Sequence, residues 1–344
     1  MTVDQILDAV RACAQGQEPS IDISILLRDH KCYGMIIPKD DAKGQMERIV
    51  NLVAIKARYR SCESFFKNAT FPYAVIKGAV LSSVMYNDPT LRVSGDIDIL
   101  IRRQDADEAK RLMRSLGFIQ GRITDRGIEP FSRQEILYQT STSHQMAPFV
   151  RETGNPFCPY INVDINTDIL WGECEYRADM DEVLSQKEKY TLFNIDFYKL
   201  TSEMEFIALC LHHYKDMNSI YLLAKGGLNL GLFCDIYFYL RNLRPSIEKI
   251  RTLSQKLNVV RYIYVCLVHT VEIFADPILC PYIEALEDER DASLLNSFGL
   301  NDKERKQWDI TLAERLFHAN LLQYIHPFLT DADIKKICIN YKNM

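Results

Sequence analysis

The chain carries ten cysteines among 344 residues, yet it lacks any Cys-x-x-Cys pair. Their positions (13, 32, 62, 158, 174, 210, 234, 266, 280 and 338) match no zinc-ligand spacing. Cys210, Cys234 and Cys266 sit inside apolar runs, so the cysteines read as small hydrophobes in a reducing, cytoplasmic setting. Positive charge is also scarce: 41 Lys and Arg face 46 Asp and Glu, a net charge of −5. That balance argues against long nucleic acid as a partner, although Arg102, Arg103, Lys110, Arg111 and Arg114 could form a local basic patch. No apolar run is long enough to cross a membrane, which takes about 18 unbroken residues. The longest such region, residues 220–240, is interrupted by Lys225 and three glycines. The opening residues have no basic start followed by an apolar core, so no signal peptide is expected. Internal repeats and low-complexity tracts are absent too.

What is present is ordinary globular material, 47% hydrophobic and 25% charged, enough for one large or two modest domains. Residues 3–68 have helical periodicity. Ile6, Ala9, Val10 and Cys13 share a stripe, and a long helix is predicted from Ala42 to Phe66, with Ile49, Leu52, Val53 and Ile55 as core candidates. The period then changes. Strands are predicted at Tyr73–Ile76, Asp96–Ile101, Phe118–Ile123, Ile136–Thr140 and Tyr160–Ile165, with helices at Ala79–Tyr86 and Gln104–Leu116. Gly117 suits a helix C-terminal cap, and residues 151–159 read as a loop. A second helical block begins at Thr201. The expected division is 1–70, 71–200 and 201–344.

The strand at Asp96–Ile101 holds the most informative residues. Asp96 and Asp98 lie two apart, so both point to one face among Ile97, Ile99, Leu100 and Ile101. Like charges that close repel, and each loses several kcal/mol or so on leaving water. A divalent cation is the economical compensation, since Mg²⁺ takes carboxylate oxygens and phosphates together. Upstream, Lys77 and Gly78 close a strand and open a helix. Backbone amides there can hold an anion, and glycine lets a phosphate come close. Lys77 could add a point charge for phosphates or pair with one of the acids.

Lys77-Gly78, a helix, Arg92, and then Gly95-Asp96-Ile97-Asp98-Ile99-Leu100 resemble the polymerase-β-like nucleotidyltransferase superfamily. Within it they resemble the group whose signature reads KGxxL, Y, R and DIDLLV. The resemblance is tight over residues 70–120 and looser to about 240. The wider superfamily's Gly-Ser pair is Lys77-Gly78 here, and the gap to the acids is longer, as in the closer group. The resemblance implies an α+β fold, a mixed sheet with helices, flanked by N-terminal helices and a C-terminal helical domain. It implies an enzyme that moves a nucleoside monophosphate, AMP first, from an NTP to a hydroxyl of a small molecule or protein, with Mg²⁺ or Mn²⁺ as cofactor.

It also requires a third carboxylate on a neighbouring strand. Asp164 fits, lying on the polar face of an apolar strand; Asp168, past the strand end, is the alternative. The resemblance assigns Asp96, Asp98 and Asp164 to metal binding, with Asp164 helping to deprotonate the acceptor hydroxyl. Arg92 would bind triphosphate or hold the carboxylates. His212 and Lys215 share a helix face opposite the stripe of Phe206, Ile207, Cys210, Leu211 and Tyr214, turned either to solvent or to a nucleotide. Ser82 and Ser83 read as helix surface, and His144 as an ordinary loop residue. Asp235 reads as structural, with Lys225 or an arginine as partner. Two other readings compete: a non-catalytic nucleotide-binding partner protein, and a toxin-like nucleotidyltransferase acting on tRNA or protein.

Overall fold

The computed structural model describes residues 2–36, 42–92, 94–172 and 174–342. Three short helices come first, α1 (Val3–Ala14), α2 (Ser24–Asp29) and α3 (Tyr33–Ile36), followed by the long α4 (Ala42–Asn68). Strands and helices then mix: β1 (Tyr73–Ile76), α5 (Gly78–Tyr86), β2 (Asp96–Ile101), α6 (Ala106–Ser115), β3 (Ile119–Thr124), β4 (Gly127–Pro130), α7 (Arg133–Thr142), β5 (Phe149–Asn155), β6 (Cys158–Asn166), α8 (Met180–Ser185), β7 (Lys187–Leu192) and β8 (Ile195–Leu200). Helices dominate the rest, beginning with α9 (Ser202–Asn218), α10 (Ile220–Leu223), α11 (Leu230–Leu243), α12 (Ile247–Lys256) and α13 (Val260–Phe274). The fold is α+β. Packing divides the chain into two compact units, residues 39–205 and residues 1–38 with 206–344.

In the 39–205 unit the eight strands form one mixed sheet in the order β4-β3-β5-β6-β2-β1-β8-β7. β2 lies between β1, which is antiparallel to it, and β6, which is parallel. Central strands are covered on both faces, which is why β1 is apolar throughout and β2 nearly so. Alternation separates the faces. Ile97, Ile99 and Ile101 of β2 and Ile161, Val163 and Ile165 of β6 join one core with Ile55, Tyr59, Phe65 and Phe66 of α4 and Ala109 and Met113 of α6. Phe66 stacks on Tyr73 with ring centres 6.0 Å apart and meets Phe197 of β8 at 5.2 Å. With the isoleucines committed to that core, Asp96 and Asp98 must occupy the other face.

Among its described residues, the unit built from residues 1–38 and 206–344 has helices and a two-stranded ribbon, Ser297–Phe298 with Lys306–Gln307. Arg11 of α1 donates from Nε to the carbonyl of Ile273 at the end of α13 (2.8 Å). Tyr237 of α11 stacks on Phe274 at 4.2 Å. The α1 stripe Ile6, Ala9, Val10 and Cys13 is buried, as are Cys210, Cys234 and Cys266. No described helix is long and apolar enough to cross a membrane.

Several local expectations are corrected. Residues 136–140 are helical, within α7, because Ser132 and Glu135 form a reciprocal capping box. Residues 151–155 are strand, because β5 pairs with β6 across a bulge and that pairing outweighs the turn-forming composition. Ile49 is 56% exposed, while Ile55, six residues further on, is fully buried. The hairpin β7–β8 lies in residues for which no strand was predicted. Asp235 is buried and pairs with His213 at 3.1 Å, a partner the sequence reading did not name.

Candidate active site

The site is assembled by register. Asp98 is opposite Asp164, Asp96 opposite Asn162, and Leu100 opposite Asn166 on the parallel pair β2–β6. Opposed residues of neighbouring strands share a face about 4.8 Å apart. The three acids therefore sit together, and Asp98 is itself 8% exposed. On the other flank Ile76, the last residue of β1, is paired with Asp98, so the turn after β1 lands beside the acids.

That turn is unusual. Lys77 has φ 57° and ψ −152°, and Gly78 has φ 53°. A positive φ at a lysine costs of order 1–3 kcal/mol and needs its surroundings to enforce it. A Cβ at Gly78 would stand 2.9 Å from Ser94 Oγ, so glycine is required twice, for φ and for space. The turn brings Lys77 Nζ to 3.5 Å from Asp98 Oδ1. Ser82, expected on the helix surface, is instead fully buried. Its hydroxyl donates to the carbonyl of Asp88 (2.7 Å) and accepts from the backbone amide of Arg92 (3.1 Å). It thus fastens the loop that carries Arg92. From α4, Arg58 donates to the carbonyl of Ser94 (2.7 Å) and Arg48 pairs with Asp88.

The electrostatics show how crowded the acids are. Burial pushes the Asp164 carboxyl up to about 7, with the charges of Asp98 and Asp96 adding to it and Lys77 opposing. Asp96 is also raised, first by burial and then by Asp98, against the pull of Lys77 and Arg92.

Two asparagines complete this face, and sequence reasoning gave them no role. Asn166, 1% exposed, donates from Nδ2 to Asp98 Oδ1 (3.1 Å) and accepts from Gln145 Nε2 (2.9 Å). Asn162 donates to Asp164 Oδ1 (3.2 Å). Their signal was available, since Asn162, Asp164 and Asn166 repeat with the strand period of two.

Asp168 is buried past the end of β6 and accepts from the backbone amides of Leu170 (2.9 Å) and Ala178 (3.4 Å), which makes it a loop anchor. His144 uses its carbonyl to accept from the amide and hydroxyl of Thr167 (2.8 and 3.0 Å). His212 and Lys215 belong to α9 in the other unit. Both are half-buried and approach Asp216, at 3.4 Å and 3.5 Å respectively.

The donor set suits a hard divalent cation: three carboxylates on one face, destabilised by one another, with an ammonium already drawn to the middle one. Among the described residues, no group of three Asp, Glu, His or Cys side chains is gathered into a ready cation cage. Lys77 and Asn166 meet Asp98 at Oδ1, and Asn162 meets Asp164 at Oδ1; a carboxylate held in this way can still ligate through its other oxygen.

A family model described as "uncharacterised nucleotidyltransferase" matches residues 53–275. Among solved structures, the chain is similar to an antigenic nucleotidyltransferase-like protein from Paracoccidioides brasiliensis, at 13% identity and a TM-score of 0.39, covering 69% of this chain and 92% of that one. No curated protein matches the chain.

Proposed function

The chain belongs to the uncharacterised nucleotidyltransferase family, and on that premise we propose that it moves the nucleoside monophosphate group of an NTP, ATP first, to a hydroxyl of a small molecule or a protein, releasing pyrophosphate. The observation that carries this reading is the register match of Asp98 with Asp164 on adjoining central strands, with Asp96 two residues upstream and the Lys77-Gly78 turn beside them.

Each part has a chemical task. Asp164 would help to take the proton of the attacking hydroxyl. The hydroxyl oxygen attacks the α-phosphorus, the bond to the β-phosphate oxygen breaks, and pyrophosphate leaves. Lys77 would release Asp98 when a triphosphate arrives and turn its charge toward the β- and γ-phosphates, with Arg92 as a second, bidentate donor. Gly78 lets the phosphates approach the backbone. A divalent ion, Mg²⁺ or Mn²⁺, held by Asp96, Asp98 and Asp164, would supply charge neutralisation and Lewis acidity. Asn166 and Asn162 would keep two of the three carboxylates on the productive face. The surplus of acidic residues favours a small-molecule or protein acceptor over long nucleic acid.

The test is a screen of the four NTPs, each labelled at the α-phosphate, with Mg²⁺ or Mn²⁺ and with metabolite and protein extracts as acceptors. Pyrophosphate and the labelled product are followed by mass spectrometry. Label transfer by the wild type that is lost in a folded Asp96→Asn variant supports the proposal. Transfer at the wild-type rate in that variant removes it.

A further inference from the structure

A second concavity lies at the other end of the same strands. Asp96 and Asp98 are near the start of β2, whereas the cleft begins at Arg102, just past its end, and is bounded by Thr167 and Asp168 just past β6. At the rise of a strand, Arg102 is about 13 Å beyond Asp98, so the cleft is not the place where the three acids meet. Its volume is about 480 Å³, within the range of about 300–1,000 Å³ of small-molecule sites.

The charged groups that line it are not equivalent. Arg102 is consumed by Asp105 (2.6 Å) and Asp181 (3.0 Å). Arg177 donates to the carbonyls of Trp171 and Gly172 (3.3 and 3.2 Å). Asp168 is occupied by backbone amides. Arg103 and Lys110 are left with no hydrogen-bond or ion-pair partner among the described residues, against one acid in the same condition, Asp107. The uncommitted charge is therefore positive. Apolar side chains also line the cleft: Ile136 of α7, Met146 and Met180. Gln120, 6% exposed, also lines the cleft: its amide donates to the carbonyl of Ala147 (3.2 Å), while its Oε1 accepts from nothing. A buried acceptor without a donor is costly, and a ligand N–H or O–H would relieve it once the Gln120 side chain turns toward the cleft. α7 itself buries no residue, so this wall can adjust to an occupant.

We propose that this cleft is a second ligand site, for a small organic molecule that carries a phosphate group and a hydrogen-bond donor. The phosphate sits between Arg103 and Lys110. The body of the molecule lies along Ile136, Met146 and Met180, and its donor reaches Gln120. The site is separate from the acids, and a polar route links it to them: Gln145, which also lines the cleft, donates to Asn166, and Asn166 donates to Asp98.

The test uses inorganic phosphate as the probe, titrated into the full-length chain with EDTA and without NTP, and read by ³¹P line broadening. Three proteins are compared: wild type, Lys77→Gln, and Arg103→Gln with Lys110→Gln. The last two replaced residues are uncommitted and near the surface, and circular dichroism checks the fold. Saturable binding is expected in the wild type, kept in Lys77→Gln and weakened roughly tenfold or more in the double variant. Equal binding by the wild type and the double variant overturns the proposal, as does loss in Lys77→Gln alone or no saturable binding at all. No nucleotide is turned over in this assay, so its outcome and that of the NTP screen are read independently.

Discussion

Replacing Asp164 with Asn should make the metal-free protein more stable at pH 8 and change it little at pH 4. The folded chain holds the Asp164 carboxyl at about 7, against an ordinary value of 3.8. A raised acid binds its proton more tightly in the folded state than in the unfolded one. Its contribution to stability is therefore complete below about pH 4, is lost as pH rises through 7, and is gone near pH 8. Displacement from 3.8 to about 7 corresponds to a ceiling of about 4 kcal/mol. Asp164 is only partly buried, and solvent screening should cut the ceiling to about 2 kcal/mol. Urea unfolding in EDTA at pH 4, 6 and 8 reads this directly. The expected result is a stability difference in favour of Asp164→Asn that opens between pH 4 and pH 8. Mg²⁺ or Mn²⁺ at pH 8 should then stabilise the wild type and not the variant, because an ion that binds only the folded state adds its binding free energy. A difference that does not vary with pH, or one that favours the wild type at pH 8, would refute the electrostatic reasoning.

Asn166→Ala should lower transfer about 10- to 100-fold, as losses of groups that orient a metal ligand do, while Asn166→Gln recovers part of it; KM for the NTP is measured beside kcat to separate orientation from binding. Gly78→Ala should cost about 1–2 kcal/mol in thermal unfolding, since φ is positive there and Ser94 Oγ obstructs the new Cβ. Ile99→Ala, in the centre of β2 and fully buried, should cost about 2–5 kcal/mol and serves as a stability control for the active-site variants. Ser82→Ala should loosen the loop that carries Arg92, raising KM for the NTP more than it changes the unfolding midpoint.

The strand-helix-strand segment from Tyr73 to Ile101 was readable because local pattern and final environment agree there. An apolar run, a Lys-Gly break and an alternating strand with two acids leave few alternatives. Asp164 was readable for the same reason, as the polar face of an alternating strand. Where tertiary pairing decided the outcome, the sequence misled. Residues 151–155 carry turn-forming composition but zip onto β6. At residues 136–138 the overlooked signal was local: the side chains suit a strand, but the capping box of Ser132 and Glu135 opens a helix. Asn166 was missed because an asparagine at a strand end has no chemistry of its own until Asp98 is placed beside it. Ser82 was misread because its buried role comes from the loop it fastens, which is distant in periodicity though near in sequence.

The most direct test of the central claim, that Asp96, Asp98 and Asp164 together hold a divalent ion against a bound triphosphate, is a Mn²⁺ titration followed by electron paramagnetic resonance in the presence of a non-hydrolysable ATP analogue. The wild type should remove free Mn²⁺ from solution, and Asp98→Asn and Asp164→Asn should each do so far less well. Equal Mn²⁺ uptake by all three proteins, or none by the wild type, would contradict it.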